Sequence, residues 1–208
     1  MSINFYGGIK MCIWEIDFDV EKYMWCIFKK TKNMDFSQFS DLFYDTETIA
    51  EKLPPKIVFH NKDKDNNPIA DIMMCTGTYN GIVSQRFKDL VESQYSGQFD
   101  FFASTLKESP QETFYIFVPK VYVKLEDVLD MENSDIEYIG GNKKRGLISD
   151  INKYKFNEKI KEYHFFKITY GNGIKECLKM FCDDNFKEFI EQNNLTGLIF
   201  TKIFDFDD

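Results

Sequence analysis

One stretch, Cys177 to Phe204 (CLKMFCDDNFKEFIEQNNLTGLIFTKIF), constrains the fold more than any other part of the chain. Leu178, Met180 and Cys182 alternate with Lys179 and Phe181, the pattern of a largely buried strand. Asp183 and Asp184 stand where a helix begins. An aspartate there accepts a hydrogen bond from a free backbone N–H and sits at the positive end of the helix dipole. Phe186, Phe189 and Ile190 then share one face at i, i+3 and i+4. Asn193-Asn194 stop the helix, Gly197 follows, and Leu198 to Phe204 resume an apolar strand. The stretch predicts a strand, a capped helix from Asp183 to Asn193, a turn and a second strand.

The pattern occurs once more, earlier in the chain. Ile82 and Val83 lead to Ser84, which takes the capping place of Asp183. Phe87 to Glu92 then lie opposite Phe186 to Glu191, and Phe101 opposite Phe200. A helix is predicted from Ser84 to Ser93. Two explanations stand side by side: a repeated strand-helix-strand unit, or two ordinary amphipathic helices. Both give the same local structure.

Elsewhere the chain reads mainly as strands. Met11 to Phe18 and Lys22 to Phe28 suit a hairpin around Asp19-Val20-Glu21. A short helix is expected at Thr46 to Lys52, ended by Pro54-Pro55. Strands are expected at Lys56–His60, Ile69–Cys75, Gln98–Leu106, Thr113–Val118, Val121–Val123 and Glu162–Thr169. Ser109-Pro110 reads as the turn between two of them. Ile148 to Phe156 alternates loosely, and Gly140 to Gly146 is the one loop with clear flexibility signals. The fold class is therefore α+β: strand-rich, mixed or antiparallel sheets, with two short capped helices. Two organisations fit. Residues 1–55 form an N-terminal hairpin and irregular segment before an α+β domain at 56–208, or one domain spans 1–208. An internal boundary, if there is one, falls between Asp130 and Gly146.

Charge and cysteine usage bound the function. The net charge is −8, so the surface repels nucleic-acid phosphates and suits a basic protein partner. No stretch is apolar enough to span a membrane, and no secretion signal is evident. The five cysteines are odd in number and contain no C-x-x-C pair, which fits free thiols in a reducing cytoplasm.

Motifs for chemistry are scarce. His60 and His164 have no ligand partner at zinc spacing. Asp63, Asp65 and Asn67 open like a calcium loop, but Pro68 takes the glycine position and Met74 the glutamate position. No phosphate loop and no nucleophile elbow is present. Carboxylates abound without a pair that spacing singles out. No metal or cofactor is expected.

Several pieces, in order, resemble the eleventh numbered immunity-protein family of bacterial polymorphic toxin systems. They are Pro68-Ile-Ala-Asp71, Gly81 to Leu90, the strand through Tyr115, Asp130-Met-Glu132-Asn-Ser134, Phe165-Phe166-Lys167, and Leu195 to Phe200 with its Gly197. The resemblance covers roughly Lys56 to Phe204. Family members often carry Arg where Lys167 stands, and the first fifty residues contain none of the pieces. Asp71, Asp130, Glu132, Ser134 and Gly197 are the motif residues, and turn and cap chemistry alone also explains such types at such places. The resemblance implies a cytoplasmic protein without catalytic activity that binds and neutralises one cognate toxin domain. Toxins of these systems are varied and often nucleases; a basic nuclease is the partner that the acidic charge suits. The acids expected to face it are Asp63 and Asp65, the cap pair Asp183 and Asp184, and the tail Asp205, Asp207 and Asp208. An enzyme with an unrecognised carboxylate site, or a scaffold protein, is the alternative.

Overall fold

A computed structural model describes residues 11–30, 34–42, 49–54, 56–62, 67–76, 80–141, 148–169 and 179–207. Strands dominate and the helices are short, so the α+β class holds. Both capped helices form as their sequences predict. Helix α3 (Gln85–Gln94) starts where Ser84 accepts from the Phe87 N–H, and α5 (Asp184–Gln192) starts where Asp183 accepts from the Phe186 N–H. Each buries its apolar stripe: Phe87 and Val91 in one, Phe186, Phe189 and Ile190 in the other.

The strands assemble into two large sheets. The first contains β2 (Cys26–Phe28), β3 (Val58–Asn61), β4 (Ile72–Met73), β5 (Cys75–Thr76), β6 (Ile82–Ser84), β7 (Phe99–Leu106) and β8 (Ser109–Pro119), in the order β4-β6-β8-β7-β3-β2-β5. Only Met74 separates β4 from β5, yet they lie at opposite ends of that order. A flat sheet of this size would hold its edges roughly 29 Å apart. Two steps of extended chain span about 7 Å. The sheet therefore closes on itself like a barrel, with residues 72–76 as the seam. The expected strand Ile69–Cys75 is broken at Met74 because it serves both edges. Side chains from all seven strands fill the interior, among them Met73, Cys75, Cys26, Phe28, Phe59, Leu106, Ile82, Phe114, Ile116 and Val118. The barrel interior also takes Phe39 from the six-residue helix α1 (Phe36–Asp41), whose ring stacks on Phe28. The short helix α2 (Ile49–Lys52) follows α1.

The second sheet has the order β14-β1-β13-β12-β9, with β1 (Cys12–Phe18), β9 (Tyr122–Lys124), β12 (Phe165–Thr169), β13 (Met180–Asp183) and β14 (Leu198–Asp205). Its two faces are both covered. On one, Ile16, Phe165, Met180 and Cys182 meet the outer face of the barrel through α3 and α5, with Val83, Phe117 and Phe99 opposite. On the other, Ile13, Phe166, Ile168 and Phe181 lie under a layer from residues 125–141 and 148–163. That layer holds the one-turn helix α4 (Leu125–Val128) and a separate two-stranded ladder, β10 (Asp135–Tyr138) with β11 (Ile148–Lys153). Alternation along β8 shows the same division. Phe114, Ile116 and Val118 point into the barrel, Phe117 into the layer between the sheets.

Two local expectations are corrected. The N-terminal hairpin does not form: β1 pairs with β13 and β14, whereas β2 pairs with β3 and β5 in the other sheet. Asp19 still makes a turn, accepting from the Lys22 N–H, but its own N–H bonds to the Gly197 carbonyl. That contact sends the chain across rather than back. Ser109-Pro110 is not a turn; Leu106 pairs with Ser109, so Lys107-Glu108 turn the chain and the strand starts at Ser109. Past Pro119 the chain leaves the barrel, and β9 runs parallel to β12 in the second sheet. Most of the loop expected at Gly140 to Gly146 lies outside the described residues.

Candidate functional site

The family-motif residues fall into two groups. The first surrounds Asp71, which precedes β4. Its Oδ1 accepts from Ser84 Oγ at 2.9 Å. Its Oδ2 accepts from the Thr196 N–H and hydroxyl, both at 3.1 Å, and from Arg86 Nη1 at 3.3 Å. Ser84 in turn caps α3, so one carboxylate orients the cap of one helix and the loop after the other. Arg86 also donates to the carbonyl of Asn193, at the end of α5. Gly197 completes the junction with φ +105°, and a Cβ there would collide with the Ile72 carbonyl oxygen. Asp71, Ser84, Arg86, Thr196 and Gly197, distant in sequence, thus tie both helices to the barrel seam. A cavity of about 300 Å³ opens beside the junction, lined by Asp71, Ser84, Gln85, Arg86 and Glu112.

The second group is the Asp130 loop. Asp130 Oδ1 accepts from the N–H groups of Glu132 and Asn133, and Oδ2 accepts from the Asn133 amide at 2.7 Å. These bonds, the Asn133 side chain foremost, hold the Asp130 carboxyl below its ordinary range. Ser134 donates its hydroxyl to the Asp130 carbonyl and accepts from the Lys155 N–H. The spacing Asp-x-Glu-x-Ser is therefore a loop clamp. Glu132 stays exposed.

The acids expected to face a partner divide sharply. Asp183 is 1% exposed, and besides capping α5 it bonds His164 Nδ1 at 2.7 Å and the Asn185 amide. Asp184 accepts from the Cys12 N–H at 2.6 Å and from the Trp14 indole at 2.7 Å, pinning β1 to the start of α5. Asp205 is 4% exposed and accepts from Lys202 Nζ and the Asp207 N–H. Asp207 is exposed. Asp63, Asp65 and Asp208 lie outside the described residues.

The structure also brings forward a surface that single motifs did not mark. Glu126, Asp127, Asp130, Glu132, Asp135 and Glu137 follow one another with no basic residue among them. All but Asp130 are exposed. Glu137 stands opposite Asp150 in the β10–β11 ladder. Like charges there are unfavourable, offset in part by the Asn152 amide on Glu137 and by Lys179 at 3.8 Å from Asp150. The tail reaches the same layer: Lys161 Nζ lies 4.1 Å from the centre of the Phe206 ring, next to Asp207. The signal in the sequence was the run of acids itself, which reads locally as a turn.

Among the described residues no group of three or more His, Cys, Asp and Glu is placed to hold a metal ion, and no helix is long and apolar enough to cross a membrane. His60 belongs to β3 in the barrel, and His164 immediately precedes β12, its carbonyl accepting from the Asp183 N–H. The larger cavity, about 590 Å³, is apolar; Phe18, Phe36, Met74, Cys75 and Met180 line it.

No curated protein matches the chain. The model of the Immunity protein family (Imm11) matches residues 17–205, from the end of β1 to the end of β14. The match reaches further towards the N-terminus than the motif pieces, which begin at Pro68, and it takes in both sheets. The chain belongs to the Imm11 immunity protein family.

Proposed function

We propose that this chain binds one cognate toxin domain and neutralises it by occlusion, without chemistry of its own. Membership of an immunity protein family over residues 17–205 carries the reading. The contacting surface in this proposal is the acidic layer of residues 126–137 together with Asp207. All its carboxylates but Asp130 are exposed, and no base interrupts them along the sequence, although Lys153 stands opposite Asp135 in the ladder. The net charge of −8 supports the same partner. A toxin that grips phosphates carries a basic groove, and an acidic face both fills that groove and speeds encounter. Exposed charges act mainly on the association rate, while affinity rests on a few buried anchors. Asp63, Asp65 and Asp208 stay in the proposal on sequence grounds. Asp183, Asp184 and Asp205 act in it through the fold, by fixing α5, β1 and the tail.

The test is co-expression with the toxin domain encoded beside this chain. Growth should be rescued, and the two proteins should purify together at one to one. A chain that is folded and expressed yet neither rescues growth nor binds the toxin would overturn the proposal.

A further inference from the structure

Cys26 and Cys75 face each other across the barrel seam. They are partners in the parallel pairing of β2 with β5, and the Cys26 N–H bonds to the Met74 carbonyl at 2.9 Å. Both side chains enter the same interior cluster, so both point to the same side of the sheet. Adjacent strands lie about 4.8 Å apart, within the Cα separation of roughly 4.4–6.8 Å that a disulfide spans. Both residues are thiols in the structure. Cys26 is 0% exposed and Cys75 2%, but Cys75 lines the apolar cavity of about 590 Å³ and Cys26 does not. A small oxidant in that cavity meets one sulfur of the pair first.

We propose that Cys75 is a thiol-modification site for small disulfides, and that Cys26 resolves the adduct into an intramolecular Cys26–Cys75 disulfide across the seam. The Cys75 thiolate attacks a small disulfide RSSR, forming a mixed disulfide and releasing one RSH after protonation. Cys26 then loses its proton and attacks the Cys75 sulfur, releasing the second RSH. In sum, two protein thiols and RSSR give one protein disulfide and two RSH. Burial pushes the Cys26 thiol up to about 12, so the second step is the slow one. Its rate rises about tenfold per pH unit in the neutral range, with the thiolate fraction. The bond joins the two strands at the seam, where β2 and β5 are paired over two residues each. Cys12 and Cys182 lie elsewhere, Cys12 at the start of β1 and Cys182 in β13, both in the second sheet.

The experiment treats the folded protein with oxidised glutathione, quenches with acid, and counts thiols after denaturation. The count should fall from five to three, and peptide mass mapping should find Cys26 linked to Cys75. Early time points should show a glutathione adduct on Cys75, which decays faster at pH 9 than at pH 7. In Cys26→Ser the adduct on Cys75 should accumulate and persist. In Cys75→Ser the remaining Cys26 thiol should not react. The proposal fails if the folded wild type keeps five thiols, if the linked pair is any other, or if the first adduct forms on Cys26. Because the decisive mapping uses the wild-type chain, it stands even if a variant misfolds.

Discussion

The two strand-helix-strand units share one topology and differ in how they are completed. In the first, β6 and β7 are each antiparallel to β8, so they run parallel to one another with α3 between them in sequence and β8 between them in space. In the second, β13 and β14 are each antiparallel to β1, with α5 linking them. An antiparallel neighbour precedes each unit as well, β4 beside β6 and β12 beside β13. The sequence correspondence between Phe87–Glu92 and Phe186–Glu191 thus marks equivalent places in two split β-α-β units. The difference lies in the inserted strand. β8 follows β7 through a tight turn, so the first unit closes locally. β1 comes from the other end of the chain, and the second unit is incomplete without it. Asp184 holds that long-range strand by two bonds, from the Cys12 N–H and the Trp14 indole, whereas its counterpart Gln85 accepts one, from the Tyr115 hydroxyl of the inserted β8.

The largest effect should come from breaking this asymmetry. Deleting residues 1–18 removes the strand that joins β14 to β13 in the second sheet and uncovers Met180, Cys182 and Phe181. We expect no cooperative thermal unfolding transition from the truncated chain, as for a single folding unit rather than two separable domains. A sharp transition near the wild-type temperature would show that the second unit stands without β1.

Next in size is Gly197→Ala. The positive φ and the clash with the Ile72 carbonyl both oppose a side chain. The expected loss is about 4 kcal/mol, read from the midpoint of urea unfolding. The caps come third. Asp183→Ala should cost about 3 kcal/mol, because it strands the Phe186 N–H and removes the acceptor of Asn185 and His164. Ser84→Ala should cost about 1.5 kcal/mol, since Asp71 retains Thr196 and Arg86 as donors. Equal losses at the two caps would mean that the second is no more deeply tied than the first.

Much of this organisation was legible in the sequence. Ser84 and Asp183 announce their helices because a cap is a local matter of one side chain and a backbone N–H three residues on. Phe186, Phe189 and Ile190 announce the buried face for the same reason. Pairing partners were not legible. Nothing in Met11 to Phe28 distinguishes a hairpin from two strands sent to different sheets, because the deciding contact is Asp19 with Gly197. The seam at Met74 was hidden likewise, since closure depends on seven strands at once. Of the site, the Asp71 and Asp130 motifs were visible as residues, but their roles needed geometry. One carboxylate fastens two helices, and the other clamps its own loop.

The smallest effect belongs to Asp130. Hydrogen bonds from Asn133 depress its folded pKa, while the unfolded value is about 3.9. Its ionised form therefore adds stability that is fully present above about pH 4 and is lost as pH falls through the lower folded value. Asp130→Asn should open a small stability gap to the wild type above that pH, and the gap should close in more acid solution. A gap of constant size from pH 3 to 7 would rule out the carboxylate as its source.

The proposed function is tested most directly by the association rate of this chain with the toxin domain encoded beside it, measured by stopped flow from low to high salt. The wild type should associate well above the neutral range of about 10⁵–10⁶ M⁻¹s⁻¹ at low salt and slow steeply as salt screens the charges. A variant carrying Glu126→Lys, Glu132→Lys and Glu137→Lys should associate more slowly and with a flatter salt dependence, while keeping its unfolding midpoint. Wild-type association that ignores salt, or a charge-reversed variant as fast as the wild type, would contradict the acidic surface at residues 126–137 as the toxin-facing side.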